Sequence, residues 1–473
     1  MKSFLEPEIF TYIQRAAEAQ NVETYVIGGY VRDCLLDRGR PKDVDIVCVG
    51  SGIELARAVA NVLPHQPKVQ VFKNFGTAML RHGEWEVEFV GARKESYRAD
   101  SRKPIVENGT LEDDQQRRDF TINALALGLN KQNFGELLDP FDGVQDLKEG
   151  IIRTPLDPDR TYSDDPLRMM RAIRFATQLG FDIEYESYEA LGRNAHRLKI
   201  ISQERITDEV NKIMEAQRPS VGWRLLEETG LLTEFFPVLL TLKGVEDVDG
   251  QTHKDNFYHT LQVTDNLAQN SDKLWLRWAA LLHDIGKPVV KRYDKKLGWT
   301  FHSHEFVGSK MVPKIFRKLK LPMNEKMKYV QKLVKMSSRP TALSGKEVTD
   351  SAVRRLLFDA GEDVEDLMLL CEADMTTQYE WKRKKFLKNY QVVRQKLKEV
   401  EERDRIVNFE PPISGQDIME TFGVPPGRII GDIKSAIKEA ILEGTIKNDR
   451  DEAWNMMIEL AAKQGLSPKK ENT

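Results

Sequence analysis

The chain has 473 residues, of which 40% are hydrophobic and 31% charged; this allows roughly three domains with cores of their own and excludes a disordered chain. No apolar run approaches the ~18 residues of a membrane span, and the opening residues carry Glu6 and Glu8 with no apolar signal core, so a cytoplasmic protein with no membrane partner is expected. Cys34, Cys48 and Cys371 are too scattered for a disulfide frame or a cysteine zinc site, and a net charge of −3 excludes a uniformly basic nucleic-acid binder.

Residues 1–150 read as mixed α and β. Thr24 to Ile27 is a short apolar run of β type that ends at Gly28-Gly29, Tyr30 to Leu36 is helical, and Asp43 to Val49 begins by alternating charged and apolar residues as a half-buried strand does. Gly76 to Arg81 and Glu84 to Val90 flank His82-Gly83, which predicts a hairpin. Arg93 to Val106 is a polar connection to the next block. After Ile151 strand signals fade and helical periodicity dominates, as in Leu167, Met170, Ile173, Phe175 and Leu179. Thr241 to Gly250 reads as a linker, His253 to Asp374 as a histidine-bearing helical block, Asn408 to Ser414 as a break, and Val424 to Gly427 as a turn inside a last helical region. RNA contact would need local basic patches, and the candidates are Arg117-Arg118, the row Arg168, Arg171 and Arg174, Lys314 to Lys320, and Lys382 to Lys385 beside Trp381 and Phe386.

Three constellations carry chemistry. In the first, Gly28 and Gly29 stand where a strand passes into a helix, a place where backbone N–H groups can approach a phosphate, and Arg32 can add a bidentate contact. Asp43 and Asp45 lie two apart on an extended segment, so both side chains share a face. Carboxylates so close repel unless a cation lies between them, and oxygen ligands select Mg²⁺. Glu88 is the candidate third carboxylate, with Glu86 on the same strand face as the alternative. This pattern resembles the catalytic signature of the polymerase-beta-like nucleotidyltransferases, which assigns catalysis to Asp43, Asp45 and Glu88 and Mg²⁺ to the aspartates.

The second runs from Arg117-Arg118-Asp119-Phe120 through Asn123 to Ala126, then Asp139 to Gly143 with Asp146 and Arg153, then Asp164-Asp165 with Arg168, Arg171 and Arg174, and last Ile206 to Met214. In this order the blocks resemble the class II, or eubacterial-type, CCA-adding tRNA nucleotidyltransferase and poly(A) polymerase family. The resemblance implies an α+β protein: a nucleotidyltransferase head of mixed sheet and helices at 1–150, a helical neck and body at 151–240 for base selection and RNA binding, an HD domain at 250–400, and a helical tail for tRNA at 405–473. It implies transfer of CMP and AMP from CTP and ATP to the tRNA 3′ end, with poly(A) synthesis as the alternative, by a monomer or homodimer. Gly28, Gly29, Arg32, Arg118, Asp119, Asn123, Asp165, Arg168, Arg171 and Arg174 become the nucleotide-binding set. Asp165 and Arg168 would read the base, since arginine offers only donors and a carboxylate only acceptors. The stretch Arg93 to Val106 matches a flexible loop that helps the family switch from C to A. Asp164 departs from the family's usual glutamate, which puts the bracing of Arg168 in question.

The third is His283-Asp284-Ile285-Gly286-Lys287-Pro288, with His259 upstream and Asp374 downstream. It resembles an HD domain with His259, His283, Asp284 and Asp374 as ligands of a second metal; imidazole with carboxylate suits Mn, Ni, Fe or Zn. His304 fits a further family position. Met336-Ser337 stands where larger two-metal sites carry another histidine. The resemblance allows, besides nucleotidyl transfer, a phosphohydrolase activity on RNA ends or nucleotides.

Overall fold

In the computed structural model, which describes residues 1–98, 101–248, 250–344, 348–377, 379–407 and 409–469, the chain divides into two units, Met1–Pro237 and Val238–Thr473.

The first unit is built on a seven-stranded mixed sheet. Its strands are β1 (Thr24–Ile27), β2 (Asp43–Cys48), β3 (Gln70–Phe72), β4 (Thr77–His82), β5 (Trp85–Gly91), and, beyond a separate ribbon of β6 (Arg93–Arg98) and β7 (Ser101–Asn108), β8 (Ala126–Gly128) and β9 (Leu137–Leu138). The order is β3-β4-β5-β2-β1-β8-β9, and β2 with β5 is the parallel pair. β1 (TYVI) is buried along its whole length, as a central strand of alternating sheet faces must be. One face of the sheet is apolar where Tyr25, Ile27 and Val47 meet Ala92, Leu111 and Ala126. The same face turns acidic toward the start of β2, because the period of two along the strand places Asp45 and Asp43 in line with Val47. Val44, Ile46, Val87 and Phe89 point the other way and are fully buried. Helix Gly52–Val62 packs against β2, β4 and β5.

The hairpin expected at His82-Gly83 is present, with His82 paired to Trp85. The stretch Arg93 to Val106, expected as a flexible loop, is instead the β6–β7 ribbon, paired from Arg93 opposite Asn108 to Arg98 opposite Ser101 with a register shift between Ser96 and Arg98. Lys94 opposes Glu107, an opposite-charge cross-strand pair that favours the ribbon; the side chains of 95–105 and the tip at 99–100 lie outside the described residues. Strand also recurs after Ile151, in pairs as short as Ile151–Ile152 with Asp182–Ile183 and Arg292–Asp294 with Gly298–Thr300. Segments of two or three residues are too short to show periodicity.

Helix Leu167–Leu179 leads the helical part of this unit and packs on helices Gln203–Met214 and Pro219–Glu228. The second unit is mainly helical. The linker expected at Thr241 to Gly250 lies just beyond the unit boundary and contains the short strand Asp247–Val248, with residue 249 outside the described residues. Residues 410–414 and Val424–Gly427 are non-helical, as expected. Among the described residues no helix is long and apolar enough to cross a membrane.

Candidate active site and metal centre

In the parallel register of β2 and β5, Asp43 lies beside Glu86 and Asp45 beside Glu88, so four carboxylates share one sheet face. Their partners separate them. Glu86 accepts from Arg81 Nε at 2.6 Å across the β4–β5 hairpin, which commits it to a surface pair. Glu88 is instead raised above its ordinary pKa, by burial and by the charge of Asp45. Asp45 is raised too, by burial first and by Asp43, against the opposing pull of Arg118. Its face is open to solvent while neighbouring side chains crowd its carboxylate. A divalent cation between Asp43, Asp45 and Glu88 would relieve this repulsion, and the all-oxygen donor set fits one.

Gly28 caps helix Gly29–Leu35 with φ of +82°. A methyl group there would stand 3.0 Å from Arg118 Nη1 and 3.5 Å from Asp45 Oδ2, so the glycine turn, Arg118 and the acidic face meet at one point. Behind them runs a continuous polar chain. Arg32 Nη1 donates to Asn123 Oδ1 at 2.7 Å, Asn123 Nδ2 donates to Asp119 Oδ1 at 3.0 Å, and Arg171 Nε donates to Asp119 Oδ2 at 2.7 Å. Burial alone would raise Asp119, but the Arg171 charge and the Asn123 bond outweigh it and hold its pKa at about 2. Arg118 Nε is buried without a hydrogen-bond partner among the described residues.

The arginine row does not act as one face. Arg174 pairs with buried Glu209 at 2.6 Å and stacks on Phe175, whose ring also lies 4.9 Å from the Arg32 guanidinium. Arg171 turns to Asp119, and Arg168 donates to the Arg117 carbonyl at 2.5 Å and the Thr161 carbonyl at 3.4 Å. Arg168 therefore lines a different cleft, with Lys94, Arg117, Arg160 and Asp164, from the one that Arg32 and Arg174 line. Asp165 stands in the break between helices Pro158–Asp164 and Leu167–Leu179, because Pro166 forbids a continuous helix; its Oδ1 accepts from the Leu167 backbone N–H at 3.2 Å. Asp164 pairs with Arg160 at 3.8 Å.

Sequence reasoning missed Asp114. It is fully buried and holds both Arg117, at 2.5 Å, and Arg118, at 3.3 Å; an acid three and four residues ahead of the arginine pair was the available signal. The Asp139, Asp146 and Arg153 blocks are scaffolding: Thr121 Oγ1 donates to Asp146 at 2.6 Å, Arg153 Nε donates to it at 3.1 Å, and Asp139 accepts from the Gly143 and Val144 N–H groups.

In the second unit, His259 comes from helix Asn256–Ala268, His283 and Asp284 follow helix Leu274–Leu282, and Asp374 follows helix Val364–Ala373. His259 Nε2 lies 2.9 Å from Asp374 Oδ1 and 3.7 Å from Asp284 Oδ2, and His283 Nε2 lies 3.3 Å from Asp284 Oδ2. His304, at the start of helix His304–Lys318, brings its Nε2 to 3.4 Å from Asp284 Oδ1. The opposite ring nitrogens are occupied: Nδ1 of His283 meets the Ala280 carbonyl at 2.7 Å, Nδ1 of His304 the Phe301 carbonyl at 2.8 Å, and Nδ1 of His259 the Thr376 hydroxyl at 3.0 Å. Rings so anchored present Nε2 lone pairs inward, as metal-binding histidines do, and the donor atoms of His259, His283 and Asp284 lie within 4.8 Å of one another. The residues fit a transition metal. Gly286 permits the approach, since any side chain there would strike the His304 carbonyl at 2.2 Å. Lys287 Nζ, also missed, donates to Asp284 Oδ2 at 2.6 Å.

Comparison with known proteins agrees with this division. The profile described as Poly A polymerase head domain matches residues 24–153, that for the probable RNA and SrmB-binding site of polymerase A matches 180–242, and that for the HD domain matches 256–378. The chain is similar to an A-adding tRNA nucleotidyltransferase of Deinococcus radiodurans, 32% identical over 351 residues, covering 71% of this chain and 76% of that protein. It is similar to a CC-adding tRNA nucleotidyltransferase of Thermus thermophilus, 30% identical over 444 residues, covering 90% and 91%. Its fold matches a crystal structure of the Bacillus stearothermophilus CCA-adding enzyme in complex with CTP, with TM-score 0.63 and 24% identity over 97% of this chain and 99% of that one. The expected α+β head, helical body and HD domain are therefore borne out.

Proposed function

This chain belongs to the tRNA nucleotidyltransferase and poly(A) polymerase family, and from that premise we propose that it adds CMP and AMP, from CTP and ATP, to the 3′ end of tRNA with release of pyrophosphate. The observation that carries the reading is the meeting of Gly28, Arg118 and Asp45 on a sheet face that also bears Asp43 and Glu88. Gly28, Gly29, Arg32 and Arg118 hold the triphosphate, and Asp119 and Asn123 position Arg32 and Arg171 around it. Asp43, Asp45 and Glu88 would hold Mg²⁺, which when bound neutralises charge at the phosphate under attack by the 3′-terminal hydroxyl. Asp165 and Arg168 select the base; the two carbonyl bonds to Arg168 fix its plane and leave it further donors. The four-part division into head, neck and body, HD domain and tail at the boundaries given above accompanies this reading, as does a cytoplasmic place of action.

The test is incubation with a tRNA lacking its last three residues and with CTP, ATP or both. Use of CTP followed by ATP supports CCA addition. Use of ATP without CTP assigns the chain to A addition or poly(A) synthesis, and use of CTP alone assigns it to CC addition. Asp43→Ala and Asp45→Ala should each abolish incorporation while the chain stays folded.

A second activity rests on the convergence of the His259, His283 and His304 Nε2 atoms on Asp284 and Asp374: we read this as a Mn, Ni, Fe or Zn site that acts on phosphate esters of RNA ends. Hydrolysis of a 2′,3′-cyclic phosphate on addition of Mn²⁺ or Ni²⁺, lost in His259→Ala, is the expected result.

A further inference from the structure

Helix Glu380–Asp404 has 25 residues, and its first buried residue is Tyr390. The nearly three turns before that point have no buried residue, so this part of the helix gains little from the packing that stabilises most protein helices. The same stretch is unusual in composition. Glu380 to Lys388 contains five basic residues and one acid, and Glu380 is occupied by Lys384 at 2.8 Å. Trp381 is 63% exposed and Tyr379, just ahead of the helix, 61%, so two open aromatic rings stand close together. The Lys382 ammonium lies 4.8 Å from the Tyr379 ring centre and 5.4 Å from that of Trp381, which ties the two rings to one cation.

We propose that Tyr379 to Lys388 is a binding platform for single-stranded RNA. Helical spacing puts Trp381, Lys384, Lys385 and Lys388 on one face. That arrangement selects the occupant. A helix that lies in a lipid surface segregates its aromatics onto an apolar face away from its lysines. Here the ring stands inside the positive stripe, so a base can stack on Trp381 while the neighbouring phosphates of the same strand meet the lysines. A duplex hides its base faces and offers the ring nothing to stack on. The platform also begins close to the metal centre. Asp374 and Thr376, which contact His259, precede Trp381 by seven and five residues, and seven residues span at most about 25 Å. A strand held on this helix is therefore within reach of the histidine cluster, although its binding does not depend on hydrolysis there or on nucleotide addition by the other unit.

The experiment uses the full chain and a fluorescein-labelled uridine decamer, with a blunt RNA duplex of ten base pairs and anionic phospholipid vesicles as the other two probes. Trp381→Ala should weaken decamer binding about tenfold and leave duplex binding unchanged, while Trp381→Phe, which keeps a ring, should retain most of the affinity. Replacing Lys384 and Lys385 together by Ala should reduce the slope of log affinity against log salt by about 1.4. The proposal is overturned if Trp381→Ala binds the decamer as the parent does, if it weakens decamer and duplex equally, or if the substitution removes vesicle binding and spares the decamer.

Discussion

Gly28 faces Asp45 across the mouth of the acidic sheet face: a methyl group on the glycine would sit 3.5 Å from Asp45 Oδ2 and 3.0 Å from Arg118 Nη1. The backbone there, at φ +82° and ψ −132°, is open almost only to glycine. Gly28→Ala should therefore cost about 1–3 kcal/mol of stability and lower kcat/KM for incorporation by at least about tenfold. Urea unfolding and steady-state kinetics check the two parts separately. A variant with parent-like kcat/KM would remove Gly28 from the site.

Glu86 and Glu88 should behave differently despite sharing a face. Glu86→Gln breaks an exposed pair with Arg81, worth at most about 1 kcal/mol, and incorporation should stay within about twofold. Glu88→Gln removes the carboxylate beside Asp45 and should reduce kcat by about 100-fold or more at saturating Mg²⁺. Equal losses in both variants would show that position on the strand does not decide the third acid.

The Asp119–Arg171 pair carries a pH signature. The folded pKa of Asp119, about 2, lies below its ordinary value, so the pair's contribution is complete above about pH 4 and is lost as pH falls toward 2. The shift corresponds to about 2 kcal/mol. In urea titrations the stability gap between the parent and Asp119→Asn should hold steady from pH 7 to 4 and narrow below that. A gap that stays constant down to pH 2 would mean the charge of Asp119 is not what Arg171 answers.

The two units should separate functionally. His259→Ala and Asp374→Ala should each lower bound Mn or Ni, measured by elemental analysis after dialysis, while CTP and ATP incorporation stays within about twofold. Loss of incorporation with full metal retention would contradict the assignment of the two chemistries to different residues.

Much of this was legible in the sequence because strand periodicity and motif spacing are local. Asp43 and Asp45 had to share a face once β2 was extended, and the set His259, His283, Asp284 and Asp374 was implied by the resemblance of the His283-Asp284 motif to an HD domain. What was not legible depended on contacts between distant segments. That Glu86 is paired while Glu88 stands beside Asp45 depends on Arg81, on the neighbouring strand. The arginine row looked like one helical face, but Asp119 and Glu209 drew Arg171 and Arg174 away from Arg168. The ribbon at β6–β7 arose from cross-strand pairing that polar composition alone does not signal.

The acceptors that orient His283 and His304 belong to the main chain at Ala280 and Phe301. Every amino acid supplies the same carbonyl, so replacing those side chains cannot take the anchor away. The alignment of these two rings is thus insured by helix and turn geometry and not by residue identity at the anchoring positions. Drift in sequence around the motif can erode its surroundings long before it disturbs which nitrogen points inward.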